Sequence, residues 1–122
     1  VCDGAGIVAQ VGEGVSGFQP GDKVATTFIP KWLNGKPTAR STDYVTRQGL
    51  GSVSGQLSEY KCFRATQLIH SPANLSTIEA STLPIAGLTA WNALQYGNLQ
   101  ADKTVLLHGT GGVSIFALQF AK

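Results

Sequence analysis

The sequence predicts an α/β fold in which a small β barrel is followed by one strand–loop–helix unit. Three observations lead to this fold class. Short runs rich in Val and Ile, separated by glycine turns, fill the first half of the 122 residues. Apolar residues at helical spacing replace these runs after residue 72. A glycine-rich loop then separates an apolar run from an apolar helical pattern.

Composition excludes several classes of protein. Charged residues make up 13% of the chain and hydrophobic residues 43%, which is the reverse of a disordered segment. The net charge of +2, without a cluster of Lys or Arg, argues against nucleic acid or a membrane surface as a partner. No apolar run approaches the roughly 20 residues of a membrane helix. The cysteines Cys2 and Cys62 are interpreted as reduced thiols of a cytoplasmic protein, with a single bridge as the alternative.

The first half of the chain contains the candidate strands. Four runs rich in β-branched, aromatic or alternating apolar residues are predicted to be strands, at residues 6–11, 23–29, 57–65 and 68–69. Pro20 and Gly21 occupy the middle of a predicted type II turn, because Pro fixes φ and Gly accepts a positive φ. Residues 30–56 are polar and rich in glycine, and we predict a long loop there.

Helical periodicity begins after residue 72. Ser76 and Glu79 form a predicted capping box, which begins a short helix that runs to Leu83. Pro84 lacks an amide donor and therefore stops or restarts this helix. Gly97 is the predicted C-cap of a second helix, whose apolar face is formed by Ile85, Leu88, Trp91 and Leu94.

The glycine-rich loop is the most informative motif. Residues 104–108 are predicted to be a buried strand and residues 114–122 an apolar helix. Gly109 would let the chain turn tightly, and Gly111 would let the backbone approach a diphosphate held by the amides and dipole of the helix. Ser114 stands where a third Gly or Ala would let helix and strand pack closely. The alternative is a tight turn that binds nothing, since one glycine motif is weak evidence.

Five blocks of sequence occur in an order typical of one family. They are Asp-Gly-Ala-Gly-Ile-Val with Val-Gly-Glu-Gly-Val at residues 3–8 and 11–15, Pro-Gly-Asp-Lys-Val at 20–24, Ser-Glu-Tyr at 58–60, Leu-Pro-Ile-Ala-Gly-Leu-Thr-Ala-Trp at 83–91, and Gly-Thr-Gly-Gly-Val-Ser at 109–114. Over essentially its whole length the chain resembles the medium-chain dehydrogenase/reductase superfamily, closest to its NAD(P)-dependent alcohol dehydrogenase and quinone oxidoreductase-like branch.

The resemblance implies a domain organisation. Residues 1–72 would form part of a GroES-like catalytic domain. Residues 73–122 would supply linking helices and the start of a Rossmann coenzyme-binding domain. The chain, which has no Met, would then be an internal piece of a longer protein.

The resemblance also implies a cofactor and its binding residues. The cofactor would be NADP or NAD, with NADP favoured, and the residue that selects between them is expected roughly 20 residues past the motif. Thr89 would lie beside the nicotinamide, although a helical Thr that bonds back to a carbonyl one turn earlier is the alternative. Val113 would lie behind the nicotinamide ring. The other predicted cofactor-binding residues are Gly109, Thr110, Gly111, Gly112 and Ser114.

The sequence departs from the zinc-dependent members of the superfamily. Where these carry Gly-His-Glu, this chain has Val1-Cys2-Asp3, in which Cys2 could ligate zinc as a thiolate. A further cysteine ligand of the family falls near Ile85, which cannot ligate, and catalytic zinc usually takes three protein ligands. The structural zinc cysteines would fall between residues 24 and 58, where there is no Cys. We therefore expect no zinc.

The predicted function is that of a zinc-independent NAD(P)(H)-dependent oxidoreductase. Hydride would pass between nicotinamide and a small-molecule quinone, enone, carbonyl or alcohol. Electron-poor substrates are favoured, because a site without a Lewis acid polarises a simple carbonyl poorly. No residue is assigned as catalytic, and the parent protein is expected to be a homodimer. The alternatives are a non-catalytic interaction or structural member and a truncated, inactive fragment.

Five further residues are given structural explanations. His70 is expected at the surface, and His108 is expected to pack at the end of its strand, with contact to cofactor phosphate or ribose as the alternative. Tyr60 is expected in the core with a bonded hydroxyl. Trp91 is expected to pack between the two domains, and Cys62 to be a small buried apolar residue.

Overall fold

The computed structural model describes residues 1–36, 38, 47–50 and 53–122. The long loop predicted at residues 30–56 lies partly outside the described residues. The elements are β1 (Ala5–Ile7), β2 (Lys23–Thr26), β3 (Leu68–His70), α1 (Thr77–Ala80), α2 (Leu88–Tyr96) and α3 (Gly112–Ala121). The chain divides into two compact units, Val1–Pro84 and Ile85–Lys122. None of the helices in the described residues combines the length and apolarity that a membrane span requires.

A three-stranded antiparallel sheet organises the first unit. β2 lies in the centre, and Ala25 is paired with Ala5 of β1 and with Ile69 of β3. The side chains of Val24, Ala25 and Thr26 are buried in this central strand, which α1 also contacts. The predicted turn before β2 is confirmed: Gly21 has a φ of 97°, and the amide of Asp22 donates to the carbonyl of Gln19 at 3.1 Å.

The predicted strand at residues 57–65 is wrong. These residues form no ladder, and a 3₁₀ helix follows at Ala65–Gln67. A β pattern in the sequence does not specify a pairing partner, and none of the three strands pairs with these residues. Tyr60 is 84% exposed and Cys62 is also exposed, so neither residue packs in the core as expected. In the described part of the chain the predicted barrel is present only as the three-stranded sheet.

Helix α1 packs on the sheet of the first unit. Its capping box is confirmed, since the Ser76 hydroxyl accepts from the amide of Glu79 while the Glu79 carboxylate accepts from the amide of Ser76. The helix ends at Ala80, earlier than the expected Leu83, and Ala80 is fully buried where α1 contacts β1 and β2. The first compact unit extends to Pro84, and the domain boundary that the sequence predicts after residue 72 stays a prediction.

The second unit consists mainly of two packed helices. A wider helical turn at Leu83–Gly87 contains Pro84 and leads into α2, so the helix restarts beyond Pro84 as predicted. The ring of Trp91 meets that of Phe120 of α3 edge-on at 5.9 Å. Trp91 therefore packs within its own unit. Gly97 is the C-cap of α2, as predicted, although Asn98 is the residue with a positive φ, of 48°.

Residues 104–108 precede the glycine-rich loop. In the described residues they pair with no strand, and Leu106 is exposed, so the predicted buried strand is wrong. Their exposure nevertheless alternates, with Val105 and Leu107 half-buried and Leu106 81% exposed. An alternation with a period of two is typical of extended chain. The helix after the loop, expected at residues 114–122, begins two residues earlier at Gly112.

Candidate dinucleotide-binding site

The glycine-rich loop forms a tight turn that leads directly into α3. Gly109 has a φ of 74°, in the left-handed region that favours glycine. Gly111 is the N-cap of α3, with an extended backbone and no side chain to cap the helix. The carbonyl of Gly111 accepts the first helical hydrogen bond, from the amide of Ile115 at 3.0 Å. The turn therefore ends at a helix that begins without a side-chain acceptor.

The start of α3 is suited to an anion. The first amides of a helix have no intrahelical acceptor, and in α3 these include Gly112, Val113 and Ser114. The dipole of this ten-residue helix adds partial positive charge at the same end. Residues 104–121 contain no Asp or Glu, so no nearby carboxylate along this segment opposes a bound phosphate.

The glycines of the loop differ in what surrounds them. A Cβ atom on Gly109 or Gly111 would meet no heavy atom within 4 Å. A Cβ atom on Gly112 would lie 3.2 Å from the Cβ of Ala86, so Gly112 packs closely against the segment before α2. The space beside Gly109 and Gly111 is therefore open, and the predicted approach of the protein backbone to a diphosphate stays a prediction. The packing role of Gly112 was not predicted, although a second consecutive glycine is a signal of close approach.

Ser114 has a role in the turn that the sequence did not predict. Its hydroxyl donates to the carbonyl of His108 at 2.8 Å, across the whole loop. The side chain is thereby committed to the protein, while its amide lies in the first turn of α3. His108 is exposed, so the expectation that it packs at the strand end is wrong.

The remaining predicted cofactor residues lie close to this turn in sequence. Thr110 is exposed at the turn, and Val113 is 40% exposed in the first turn of α3. Thr89 is exposed in the first turn of α2, three residues after the Ala86 that Gly112 approaches. The structure thus brings the segment before α2 to the start of α3. The contact of Thr89 with a nicotinamide stays a prediction.

A groove of mixed character also lies in the second unit. It has a volume of about 500 Å³. Apolar side chains of Val105, Leu107 and Leu118 line it, together with the polar residues Gln100, Lys103 and Lys122. It includes none of the residues from His108 to Phe116. The groove is therefore separate from the glycine turn.

The first unit offers few candidate metal ligands. Cys2 is a half-buried free thiol, and in the described residues no three side chains of His, Cys, Asp or Glu come together. His70 is used structurally, since its Nε2 lies 2.8 Å from the carbonyl oxygen of Gly17 and its ring stacks on Phe18 at 4.7 Å. The exposed position of His70 agrees with the sequence-based prediction.

Comparisons with known proteins agree with this architecture. The profile of the alcohol dehydrogenase GroES-like domain matches residues 1–73. The chain is 46% identical to a zinc-type alcohol dehydrogenase-like protein of Schizosaccharomyces pombe, with 98% of this chain and 34% of that protein covered. It is 35% identical to a chloroplastic quinone-oxidoreductase of Triphysaria versicolor, with 98% and 32% covered.

A solved structure gives the same result. A crystal structure described as an alcohol dehydrogenase from Sinorhizobium meliloti 1021 superposes with a TM-score of 0.86 at 45% identity, covering 96% of this chain and 35% of that one. The chain thus spans about a third of the length of the relatives that it matches. The chain belongs to the medium-chain dehydrogenase/reductase superfamily, and its residues 1–73 match the GroES-like domain of the alcohol dehydrogenases.

Proposed function

We propose that the protein is an NAD(P)(H)-dependent oxidoreductase in which the turn at residues 109–114 binds the pyrophosphate of the cofactor. The observation that carries this proposal is the open turn at the uncapped start of α3. Gly111 combines the N-cap position, the lack of a side-chain acceptor and empty space where its Cβ would be. Superfamily membership supports the same class of function, since the similar proteins named above are dehydrogenases or oxidoreductases by name.

The residues of the turn would bind and orient the cofactor. The amides at the start of α3 would donate to the phosphate oxygens, and Gly111 would allow the backbone to approach them closely. A nicotinamide dinucleotide would supply the hydride chemistry, and the protein its orientation and a dry site. Thr89 and Val113 are proposed to border the nicotinamide end. NADP is the proposed form, with NAD as the alternative.

We propose further that hydride transfer does not require zinc and that the substrate is electron-poor. Of the family's zinc-ligand positions within this chain, only the one at Cys2 offers a donor, whereas a catalytic zinc usually takes three protein ligands. A quinone or conjugated enone needs less polarisation than a simple carbonyl. The quinone-oxidoreductase among the similar proteins supports this substrate class. The zinc-type name of the yeast relative favours a zinc-dependent enzyme instead. Metal analysis of the purified protein, with activity measured before and after EDTA, separates these two possibilities.

Gly111→Val in the intact protein tests the pyrophosphate site. The φ of −74° and the empty space at this position allow a side chain without cost to the backbone, so the variant should fold normally. The added side chain would occupy the path of the diphosphate. We expect NADPH and NADH binding, measured by calorimetric titration, to weaken at least about tenfold, as expected when a charge-assisted hydrogen bond is lost.

Gly12→Val is the matched control. Gly12 also lacks a positive φ, and the nearest atom to its Cβ position, on Val15, is 3.9 Å away. This substitution should leave cofactor affinity unchanged. Equal cofactor affinity in the wild type and in Gly111→Val would show that the turn does not hold the pyrophosphate. Cofactor binding without turnover of quinones, enones or alcohols would favour the non-catalytic alternative.

A further inference from the structure

The hydrogen bond from Ser114 to His108 spans the glycine turn. The donor hydroxyl and the acceptor carbonyl are six residues apart, at 2.8 Å. A helical serine more often bonds back within three or four residues, as Ser81 does with the carbonyl of Ile78 at 2.7 Å. Ser114 instead reaches past the start of its helix to the residue before the turn. The bond therefore joins the two ends of the loop.

The residues that this bond encloses have little stiffness of their own. Three of the four residues between His108 and Val113 are glycines, the residues that lose the most conformational freedom on ordering. Gly109 holds a left-handed φ, and Gly111 provides no side chain to fix the helix start. A loop that is ordered before its ligand arrives binds more tightly, because less conformational entropy is lost on binding.

The position of Ser114 allows a side chain whose hydroxyl can bond across the turn. In the glycine pattern this position is filled by Gly or Ala to permit close packing. Here the close approach occurs at Gly112, whose Cβ position lies 3.2 Å from the Cβ of Ala86. A side chain at residue 114 is therefore accommodated, and its hydroxyl is used for the bond to His108.

We infer that Ser114 is a positioning residue for the cofactor, whose hydroxyl holds the turn in the shape that presents the amides of α3 to a pyrophosphate. The inference rests on the proposed dinucleotide function. Ser114 acts through the backbone of the loop, since its hydroxyl is committed to His108. Loss of the hydroxyl should weaken the binding of any ligand that carries the pyrophosphate, whether or not it carries a nicotinamide.

Four substitutions in the intact protein, three at Ser114 and one control at Ser81, test this inference. Ser114→Ala and Ser114→Gly remove the hydroxyl, Ser114→Thr keeps it, and Ser81→Ala removes a comparable hydroxyl elsewhere. Dissociation constants for NADPH, NADH and ADP-ribose are measured by calorimetric titration, at a temperature where thermal melting shows every variant to be folded. We expect the Ala and Gly variants to bind about fivefold more weakly, as for one net hydrogen bond. The loss should be the same for ADP-ribose, while the Thr and Ser81 variants should stay within about twofold of the wild type.

The outcomes separate the two proposals. If the wild type binds none of the three probes, the dinucleotide function itself fails. If the wild type binds and Ser114→Ala binds equally well, the function stands and the role of Ser114 is rejected. Tighter binding by Ser114→Gly than by the wild type, or no recovery in Ser114→Thr, would likewise reject it.

Discussion

The N-termini of α1 and α3 differ in their capping. Ser76 and Glu79 satisfy the start of α1 with two reciprocal hydrogen bonds, so this end is closed by its own side chains. Gly111 begins α3 without a side-chain acceptor, beside space that no described atom fills. Helix α1 packs on the sheet of the first unit, and the open end of α3 follows the glycine turn of the second. Comparison of the two ends indicates which one serves the fold and which one is available to a ligand.

Closing the end of α3 should have the largest effect. Gly111→Asp places a carboxylate at the N-cap, where it would accept from the first-turn amides as Ser76 does in α1. We expect cofactor binding to weaken roughly 100-fold, because the amides are occupied and the charge repels the phosphates. Folding stability should rise by a few tenths of a kcal/mol, since Asp is a slightly better N-cap than Gly.

Calorimetric titration and urea unfolding measure the two effects of Gly111→Asp. Gly111→Asn is the control, because it supplies a neutral acceptor of similar size and should weaken binding less than Asp. Unchanged affinity in the Asp variant would remove the distinction between the two helix ends.

Opening the end of α1 should have a smaller effect, and on stability alone. Ser76→Ala removes the acceptor for the amide of Glu79 and should lower the free energy of unfolding by about 1 kcal/mol. Ser76→Gly, which makes this end resemble that of α3, should cost only a few tenths of a kcal/mol. Urea unfolding measures both values, and cofactor affinity should not change. A loss of affinity comparable to that of Gly111→Asp would contradict the division of roles.

The smallest expected effect is the pH dependence of the closed end. Hydrogen bonds from the backbone and the side chain of Ser76 hold the pKa of Glu79 below its ordinary value of 4.5. The ionised carboxylate therefore contributes stability above pH 4.5, and the contribution is lost as the pH falls through the lowered pKa. The difference in unfolding free energy between the wild type and Glu79→Gln should shrink on acidification. A difference that stays constant from pH 7 to pH 3 would show that the carboxylate does not stabilise this end through its charge.

Local signals predicted those elements that a few neighbouring residues can specify. The Pro20–Gly21 turn, the Ser76–Glu79 capping box and the C-cap at Gly97 are all present, because each depends on residues within one turn of chain. The strand predicted at residues 57–65 is absent, because a β pattern does not specify which other segment the chain pairs with. Tyr60 and Cys62 were misplaced in the core for the same reason.

The candidate site shows the same limit. The spacing of the glycines predicted the turn and an approach for a phosphate, since positive φ and the lack of a Cβ are properties of single residues. The contact of Gly112 with Ala86 joins residues that are distant in sequence, and the bond from Ser114 to His108 depends on how the turn closes. No local sequence signal predicts either contact.

The sequence by itself determined the superfamily resemblance, the order of the two parts and the location of the turn before α3, because these depend on composition, spacing and backbone preferences of short segments. The tertiary structure decided which strands pair, which glycine is packed and which is open, and how the hydroxyl of Ser114 is used. The physical reason is that burial and cross-chain hydrogen bonds depend on distances between residues that only the folded chain brings together.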